Sequence, residues 1–267
     1  MKKNIGFIGA GKMAQAMMEG MVKSLTIPKE NIMVSARTEE TTKIINQKYE
    51  IYTSLNNRDV ATFADILIIA VKPDLYASII EEIKKDIKPT AIIVTIAAGI
   101  TLKDIEHSFG FPVKSIRTMP NTPSVVGEGM SVICANEYLT EQEIIEVERL
   151  FQTFSKTERL EEKLMDAVPA ISGSSPAYVY MLIEAMADGG VRQGIPRAQA
   201  YRLGAQAVLG AAKMVLETGK HPGELKDNVC TPGGATIEAV VTLEEKQFRG
   251  SIMAAMDSCT NKVKSLI

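Results

Sequence analysis

The stretch "NIGFIGAGKMAQAM", residues 4–17, decides the fold class of this chain. Its apolar first part predicts a short buried strand, and the residues after the glycines predict a helix. Gly9, Gly11 and Ala14 stand between the two in the spacing G-x-G-x-x-A. In that context the spacing indicates a loop that binds the pyrophosphate of a dinucleotide.

Each small residue of such a loop has a separate task. Gly9 permits the tight turn, Gly11 lets the backbone approach the pyrophosphate, and Ala14 lets the helix pack closely on the sheet. The N–H groups at the start of the helix then attract the anion. The simpler alternative is a strand-to-helix turn without a ligand. The residues expected to contact the cofactor here are Ile8, Gly9, Ala10, Gly11, Lys12 and Met13.

Apolar runs of the same kind recur through the first half of the chain. They are rich in β-branched residues and are bounded by glycine, proline, asparagine or charge, which is typical of strands. The alternation with helical segments predicts an α/β fold with an N-terminal Rossmann-like, doubly wound sheet. The predicted strands lie at 4–10, 31–37, 65–71, 91–97, 113–119 and 131–136, with helices at 12–24, 38–48 and 74–86.

The second half of the chain has a different pattern of apolar residues. Strand patterns stop after about residue 137, and a helix with a capping-box start is predicted at 140–154. From residue 163 onward the sequence is helical, and the helix predicted at 197–218 is rich in alanine and glycine. We therefore predict two domains, a dinucleotide-binding domain at 1–162 and an all-α C-terminal domain at 163–267.

Composition excludes several classes of protein. The 267 residues carry a formal net charge of −2, which provides no basic field for nucleic acid. Three cysteines lie far apart and only two histidines are present, so neither a metal site nor a disulfide framework is predicted. The first residues predict neither a signal peptide nor a membrane span. We expect a cytoplasmic protein with no metal, no nucleic-acid partner and no membrane partner.

The end of the second predicted strand indicates which dinucleotide is bound. An NAD enzyme usually carries an acidic residue there, whereas this chain offers Ser35 and Arg37. Arg37 can pair with a phosphate and Ser35 can donate to it, so we predict NADPH, with NADH as the weaker alternative. Glu39 and Glu40 are evidence against the NADPH prediction, unless they lie on the next helix. Arg37 as a solvated surface charge is the other interpretation.

Two further strand ends offer cofactor contacts, because ligands of such sheets bind beyond the carboxyl ends of the strands. Their small residues let a flat ring or a ribose lie against the backbone, and Lys72 is either a phosphate partner or a structural residue. The residues expected to take part are Ala70, Val71, Lys72 and Pro73 at one strand end and Ile96, Ala97 and Ala98 at the next.

The chain is poor in acid–base groups. No metalloprotease or nucleophile-elbow motif is present. His107 is interpreted as a surface residue, and His221 as the cap of a short helix. This scarcity suits hydride transfer to a substrate that is already cationic, because the nicotinamide then carries the chemistry and the protein supplies position.

The stretch "NVCTPGGATIEA", residues 228–239, places two glycines inside an otherwise helical half. Helical spacing resumes directly afterwards, so residues 233–236 are predicted to form a helix N-terminus that suits an anion. Thr231 can cap this turn or bind the same anion, and the Thr236 hydroxyl can reach the next polar atom of a ligand. An ordinary helix start after a Pro-Gly turn is the alternative.

At these residues the chain resembles the pyrroline-5-carboxylate reductases over essentially its whole length. The resemblance is strongest in "GFIGAGKMA", "AVKP", "RTMPNTP" (117–123), "SGSSPAYVY" (172–180), "EAMADGGVRQG" (184–194) and "HPGELKDNVCTPGGATIEAV" (221–240). The last of these is similar to the family's own signature. Thr231 stands where some relatives have serine, and Ser175 stands where others have glycine.

The resemblance implies NAD(P)H-dependent reduction of 1-pyrroline-5-carboxylate to L-proline, the last step of proline synthesis, by hydride transfer to the protonated imine carbon. It implies that Thr236 is catalytic and orients the ring nitrogen, and that Asn57 lies near the adenosine ribose. The substrate-binding residues that it implies are Met119, Pro120, Asn121, Val229, Thr231, Gly233, Gly234, Ala235 and Thr236.

The resemblance also implies a homodimer with interlocked helical domains, or a larger assembly of such dimers. Two other functions remain open at this point. One is a related β-hydroxyacid or imine dehydrogenase, which would require a catalytic lysine that "SGSSPAYVYM" does not contain. The other is a non-catalytic NADP(H)-sensing protein. The presence of Thr236 and of the glycines before it is evidence against this second function.

Overall fold

The structure is a computed structural model that describes residues 3–265, so the outermost ends of the two predicted domains, residues 1–2 and 266–267, lie outside the described residues. The chain forms two compact units. One runs up to Gly173 and includes the end of the last helix from Cys259 onward, and the other is Ser174–Ser258. The boundary at Gly173 falls later than the expected 162/163, because Met165 and Val168 are buried beside Met119 in the first unit.

Within residues 3–265 the first unit contains an eight-stranded sheet in the order β3-β2-β1-β4-β5-β6-β7-β8. All neighbouring strands are parallel except β6 and β7. The predicted doubly wound α/β fold is confirmed. The strands are β1 (Ile5–Ile8), β2 (Ile32–Ser35), β3 (Tyr52–Ser54), β4 (Ile66–Ile69), β5 (Ile92–Thr95), β6 (Lys114–Met119), β7 (Gly129–Ala135) and β8 (Ser155–Arg159).

Five of the six predicted runs contain one of these strands, and the sixth, 131–136, overlaps β7, which begins two residues earlier. The two strands that the sequence did not predict lie at the sheet edges. The strand β8 reads SKTER and β3 is three residues long, so neither has the apolar run that marks a buried strand. The central strands, by contrast, are buried on both faces. Ile5 and Phe7 belong to one apolar cluster and Ile8 to a second cluster.

The helices of the first unit follow the predicted alternation, with two short helices, α3 and α5, that the sequence did not predict. The predicted helix at 74–86 begins with a 3-10 turn, Pro73–Leu75. Thr140 and Glu143 form the expected capping box at the start of α6. The helices are α1 (Lys12–Lys23), α2 (Glu39–Tyr49), α3 (Asn57–Phe63), α4 (Tyr76–Ile83), α5 (Leu102–Phe109) and α6 (Glu141–Phe151).

The second unit is helical. Its two longest helices pack closely because small residues meet where they cross: a Cβ built on Gly190 would lie 3.2 Å from the Ala200 Cβ. Of residues 174–258, the buried ones are Ala187, Ala200 and Gly204. The helices are α7 (Ser175–Arg192), α8 (Arg197–Thr218, as predicted), α9 (Pro222–Val229), α10 (Ala235–Glu245) and α11 (Phe248–Lys264), of which α11 extends into the first unit.

A buried arginine ties the segment after the sheet to β6. Arg117 is 1% exposed, and its Nη2 lies 2.5 Å from Asp166 Oδ1. Glu162 Oε1 lies 3.7 Å from Arg117 Nη1 and accepts a hydrogen bond of 2.7 Å from the Leu102 backbone N–H. These carboxylates neutralise a charge that burial would otherwise make very costly.

Removing Asp166 tests this connection. Asp166→Ala should lower the free energy of unfolding by about 3 kcal/mol, because it leaves a buried charge without its closest partner. Glu161→Ala is the matched control, since Glu161 pairs with Lys163 at the surface and exposed pairs contribute little. Urea unfolding followed by circular dichroism measures both. Equal, small losses of unfolding free energy in the two variants would contradict the role of Asp166 as the partner of buried Arg117.

Candidate active site

The carboxyl ends of β1, β4 and β5 meet at one edge of the sheet. From β1 the order continues to β2 and β3 on one side and to β4 and β5 on the other. Ligands of open α/β sheets bind at such a switch point, in the crevice beyond the strand ends. The structure brings together here the predicted cofactor residues that follow these strands, namely Ile8–Met13, Ala70–Pro73 and Ile96–Ala98.

Gly9 holds the turn between β1 and α1 in a conformation that only glycine adopts easily. Its φ is +99°, and a Cβ built on it would lie 2.6 Å from the Ala70 carbonyl oxygen. Its N–H donates to the Ser35 carbonyl oxygen at 3.1 Å. Gly9 therefore keeps β1, β2 and β4 in close contact at the crevice.

Gly11 lies in a different environment from Gly9. It is the N-cap of α1, no side chain caps this helix, and nothing lies within 4 Å of a Cβ built on it. Ala14, 1% exposed, packs into the core beneath the turn. No side chain occupies the first N–H groups of α1, which is the arrangement that a pyrophosphate-binding helix start requires.

The ends of β4 and β5 are joined by a buried tyrosine that the sequence analysis missed. The Tyr76 hydroxyl donates to the Ile69 carbonyl oxygen at 2.5 Å and accepts from the Thr95 hydroxyl at 2.7 Å. Burial raises the pKa of Tyr76 well above its ordinary value, so the hydroxyl stays protonated. Tyr76 fixes the spacing of the two loops that follow, Ala70–Pro73 and Ile96–Ala98. No local sequence pattern marks such a contact.

At the end of β2 the structure separates the two predicted phosphate ligands. Arg37 is exposed, and no carboxylate of the described residues forms an ion pair with it. Ser35 is 1% exposed and its hydroxyl donates to Asn57 Oδ1 at 2.7 Å. The Ser35 hydroxyl is therefore buried and engaged with Asn57, and its contact with a cofactor phosphate stays a prediction. Glu39 and Glu40 lie on α2, as expected.

The stretch after β6 is held in place by Asn121. Its side-chain amide donates to the Ser172 carbonyl oxygen at 2.9 Å and accepts from the Met130 N–H at 2.9 Å. Met119 and Pro120 are buried with it. Asn121, expected to bind substrate, therefore has a structural role of its own that sequence did not indicate. The 3-10 turn that follows, Thr122–Val126, packs against α1.

In the second unit α10 begins as predicted, directly after the glycines. Gly233 has a φ of +66°, and Gly234 is the N-cap with no side-chain cap on the helix. A Cβ built on Gly234 would lie 2.2 Å from the Thr231 Oγ1, so a side chain at this position would collide with Thr231. Thr231 does not cap α10, which excludes one of its two predicted roles.

Thr236 occupies the first turn of α10 and is half-buried. Across the described residues its hydroxyl has no hydrogen-bond partner, and neither has the hydroxyl of the exposed Thr231. Val229 is 63% exposed just before this turn. Unpaired N–H groups and two unengaged hydroxyls together offer an anion and one further polar atom a place to bind.

Two other features bear on the kind of site present. The Nδ1 of His221 accepts a hydrogen bond from the Gly223 N–H at 3.0 Å, which confirms His221 as the cap of α9. Between residues 3 and 265, no group of three His, Cys, Asp or Glu side chains is placed to hold a metal ion. In the same range, no helix combines the length and the apolar character needed to span a membrane.

The sheet, the Gly9–Gly11 turn and the uncapped N-terminus of α1 define a dinucleotide-binding oxidoreductase of the Rossmann class. Residues 162–266 match the family model "Pyrroline-5-carboxylate reductase dimerisation", and residues 4–99 match "NADP oxidoreductase coenzyme F420-dependent". The reductase of Escherichia coli K12 is 44% identical, over 100% of this chain and 99% of its own length. The chain belongs to the pyrroline-5-carboxylate reductase family.

Other members of the family are similar to this chain over nearly their whole length. The reductase of Arabidopsis thaliana is 40% identical over 98% of this chain and 95% of its own. The Coxiella burnetii reductase structure has a TM-score of 0.92 and 31% identity, covering 100% of this chain and 99% of that one. The Plasmodium falciparum enzyme, solved with NADP bound, has a TM-score of 0.89 and 31% identity, covering 99% of this chain and 98% of that one.

The two glycines of the turn should respond differently to the same substitution. Gly9→Ala should destabilise the fold, because its Cβ would collide with the Ala70 carbonyl and its φ disfavours a side chain. Gly11→Ala meets no atom of the chain and should keep the stability, yet weaken NADPH binding about tenfold or more by blocking the pyrophosphate. Thermal unfolding and cofactor titration distinguish the two effects. Unchanged NADPH affinity in Gly11→Ala would contradict the assignment.

Proposed function

We propose that this protein reduces 1-pyrroline-5-carboxylate to L-proline with NADPH as the reductant. The uncapped N-terminus of α10, with its unengaged Thr236 hydroxyl, carries the proposal within a chain of this family. When bound, NADPH supplies a hydride for the C5 carbon of the substrate's C=N bond. Ile8–Met13 at the start of α1, Ala70–Pro73 and Ile96–Ala98 would hold the cofactor.

The residues at the start of α10 bind and orient the substrate. The N–H groups of Ala235 and Thr236 receive the substrate carboxylate, because anions are favoured at a helix N-terminus. The Gly234 N–H donates to the Thr231 carbonyl oxygen at 3.0 Å and so holds the turn that precedes them. Gly233 leaves the approach free of side chains. The Thr236 hydroxyl accepts a hydrogen bond from the protonated ring nitrogen and so fixes the orientation of the imine. Val229 and Thr231 line the same turn.

The proton balance explains why no acid–base group is needed. The imine nitrogen of the substrate already carries its proton, and addition of a hydride to C5 gives the neutral secondary amine directly. Catalysis by this chain then depends on position and orientation. Met119, Pro120 and Asn121 contribute a buried, fixed backbone, which Asn121 clamps through Ser172 and Met130.

The NADPH preference is assigned to Arg37. It follows β2, the strand whose end lies nearest the adenosine ribose in this fold, and it is exposed and unpaired by any carboxylate that the structure describes. A guanidinium presents a fork of donors that matches a phosphate, whereas NADH offers only a hydroxyl there. The likeness to an enzyme solved with NADP bound supports the same choice.

The helical unit supports a proposed homodimer with interlocked helical units, or a larger assembly of such dimers. Its buried residues are small, and it exposes large apolar side chains that a single copy of the chain does not cover. The family model that matches this region is described as a dimerisation domain. The exposed side chains include Tyr180, Met181, Leu203, Leu209, Met214, Leu216 and Met253.

We place the enzyme in the cytoplasm.

The reaction is tested by mixing the purified protein with 1-pyrroline-5-carboxylate and NADPH. The near-ultraviolet absorbance of NADPH should fall, and amino-acid analysis should find one proline for each NADPH consumed. A parallel reaction with NADH should require a higher cofactor concentration. Cofactor binding without turnover would favour the sensing protein, and turnover only with a hydroxyacid or another imine would favour the related dehydrogenase.

Thr236→Ala should lower kcat/KM for 1-pyrroline-5-carboxylate about tenfold or more, since about 1.4 kcal/mol of transition-state stabilisation is lost with the hydroxyl. Thr236→Ser retains the hydroxyl and is the matched control, with activity near that of the unmodified protein. Steady-state kinetics at saturating NADPH measures both variants. Equal activity of the alanine and serine variants would refute the role of the hydroxyl.

Arg37→Ala should raise the KM for NADPH about tenfold or more and leave that for NADH nearly unchanged, because the guanidinium pairs with the phosphate that NADH lacks. Lys43→Ala removes the same charge from an exposed position on α2, where Lys43 pairs with Glu39, and is the control. Initial rates with each cofactor give the comparison. Equal losses with both cofactors would show that Arg37 contributes only general surface charge.

A further inference from the structure

A hydrogen-bond chain at the end of β2 involves a carboxylate that the cofactor assignment does not use. The Ser35 hydroxyl donates to Asn57 Oδ1 at 2.7 Å, and Asn57 Nδ2 donates to Glu82 Oε2 at 2.9 Å. Ser35 ends β2, Asn57 begins α3, and Glu82 lies on α4. The chain therefore connects three elements at the edge of the sheet where the adenosine end of the cofactor is expected.

Glu82 is the member of this chain that fixes the direction of the others. A serine hydroxyl can donate or accept, so Ser35 alone leaves the Asn57 amide free to turn either way. An ionised carboxylate only accepts, so Glu82 requires Nδ2 on its own side and Oδ1 on the side of Ser35. An amide held at both ends in this way keeps one orientation.

The placement of the chain favours a functional purpose over a purely structural one. Glu82 and Asn57 are half-buried, and Glu82 forms no ion pair with any cation of the described residues. Another ion pair already connects α3 with the turn that follows α4, since Arg58 Nε lies 3.7 Å from Asp86 Oδ2. Asn57 Nδ2 carries two hydrogens, and the bond to Glu82 uses one of them.

We propose that Glu82 is a positioning residue for NADPH selectivity: it orients the Asn57 amide so that the second Nδ2 hydrogen is donated to the 2′-phosphate of the cofactor. The proposal rests on the proposed function only in naming NADPH as the cofactor. Arg37 supplies charge to the same phosphate, and Asn57 supplies a directed donor. The negative charge of Glu82 opposes phosphate binding, so its presence is favourable only if the orientation of Asn57 outweighs this repulsion.

Direct cofactor titrations test the proposal without any substrate. In Glu82→Ala the dissociation constant for NADPH should rise about fivefold, the loss of one oriented hydrogen bond, while that for NADH stays within about twofold. Glu82→Gln, which retains an acceptor but no longer dictates the orientation, should fall between the unmodified protein and Glu82→Ala. Glu81→Ala is the matched control, because it removes the same charge from an exposed neighbour that pairs with Lys84.

A double variant separates positioning from direct binding. If Glu82 acts through Asn57, then Asn57→Ala combined with Glu82→Ala should bind NADPH no more weakly than Asn57→Ala alone. Additive losses would overturn the proposal. So would tighter NADPH binding in Glu82→Gln, which would show that charge repulsion dominates, or equal weakening for NADH, which would show a purely structural role. Should Glu82→Ala fail to fold, Glu82→Gln decides the question alone.

Failure of the reductase proposal leaves this test intact. A protein that binds NADPH but does not turn over 1-pyrroline-5-carboxylate still gives the ratio of the two dissociation constants. A chain that reduces the imine but shows no change of that ratio in Glu82→Ala would retain the proposed function and lose the positioning role.

Discussion

The backbone N–H groups at the starts of α1 and α10 are the constraint on which the proposed chemistry depends. Elsewhere in the chain threonines such as Thr38 and Thr140 cap helices with their own side chains. Glycines, Gly11 and Gly234, precede α1 and α10 instead, and no side chain caps either helix. In the proposed function the first N–H groups of the two helices bind ligand anions, a pyrophosphate at α1 and a carboxylate at α10.

Two helix starts without side-chain caps restrict the neighbouring sequence. Gly9 must have a positive φ and no side chain, because the Ala70 carbonyl lies where its Cβ would be. Gly234 must remain bare beside Thr231 for the same steric reason. Buried contacts then hold the surrounding loops, through Tyr76 at the ends of β4 and β5 and through Asn121 after β6. Loops held in this way suit a reaction that needs positioning more than proton transfer.

The sequence predicted what depends on local pattern and missed what depends on distant contacts. Apolar runs located the central strands. The strand β8 was not predicted, because an edge strand needs no apolar run. The glycine spacing located both helix starts. Ser35 was assigned to the cofactor because its position in the chain suits a ligand, and its bond to Asn57 is visible only in three dimensions. Tyr76 and Glu82 were missed for the same reason.

The most direct test of the account compares 1-pyrroline-5-carboxylate with 1-pyrroline, the same cyclic imine without its carboxylate. If the start of α10 binds the carboxylate, kcat/KM for 1-pyrroline should be lower by about a hundredfold or more, because binding energy at the helix start orients the imine for reaction. The NADPH consumption assay measures both substrates under the same conditions. Equal kcat/KM values would contradict the account, since the helix start would then contribute nothing to the reaction.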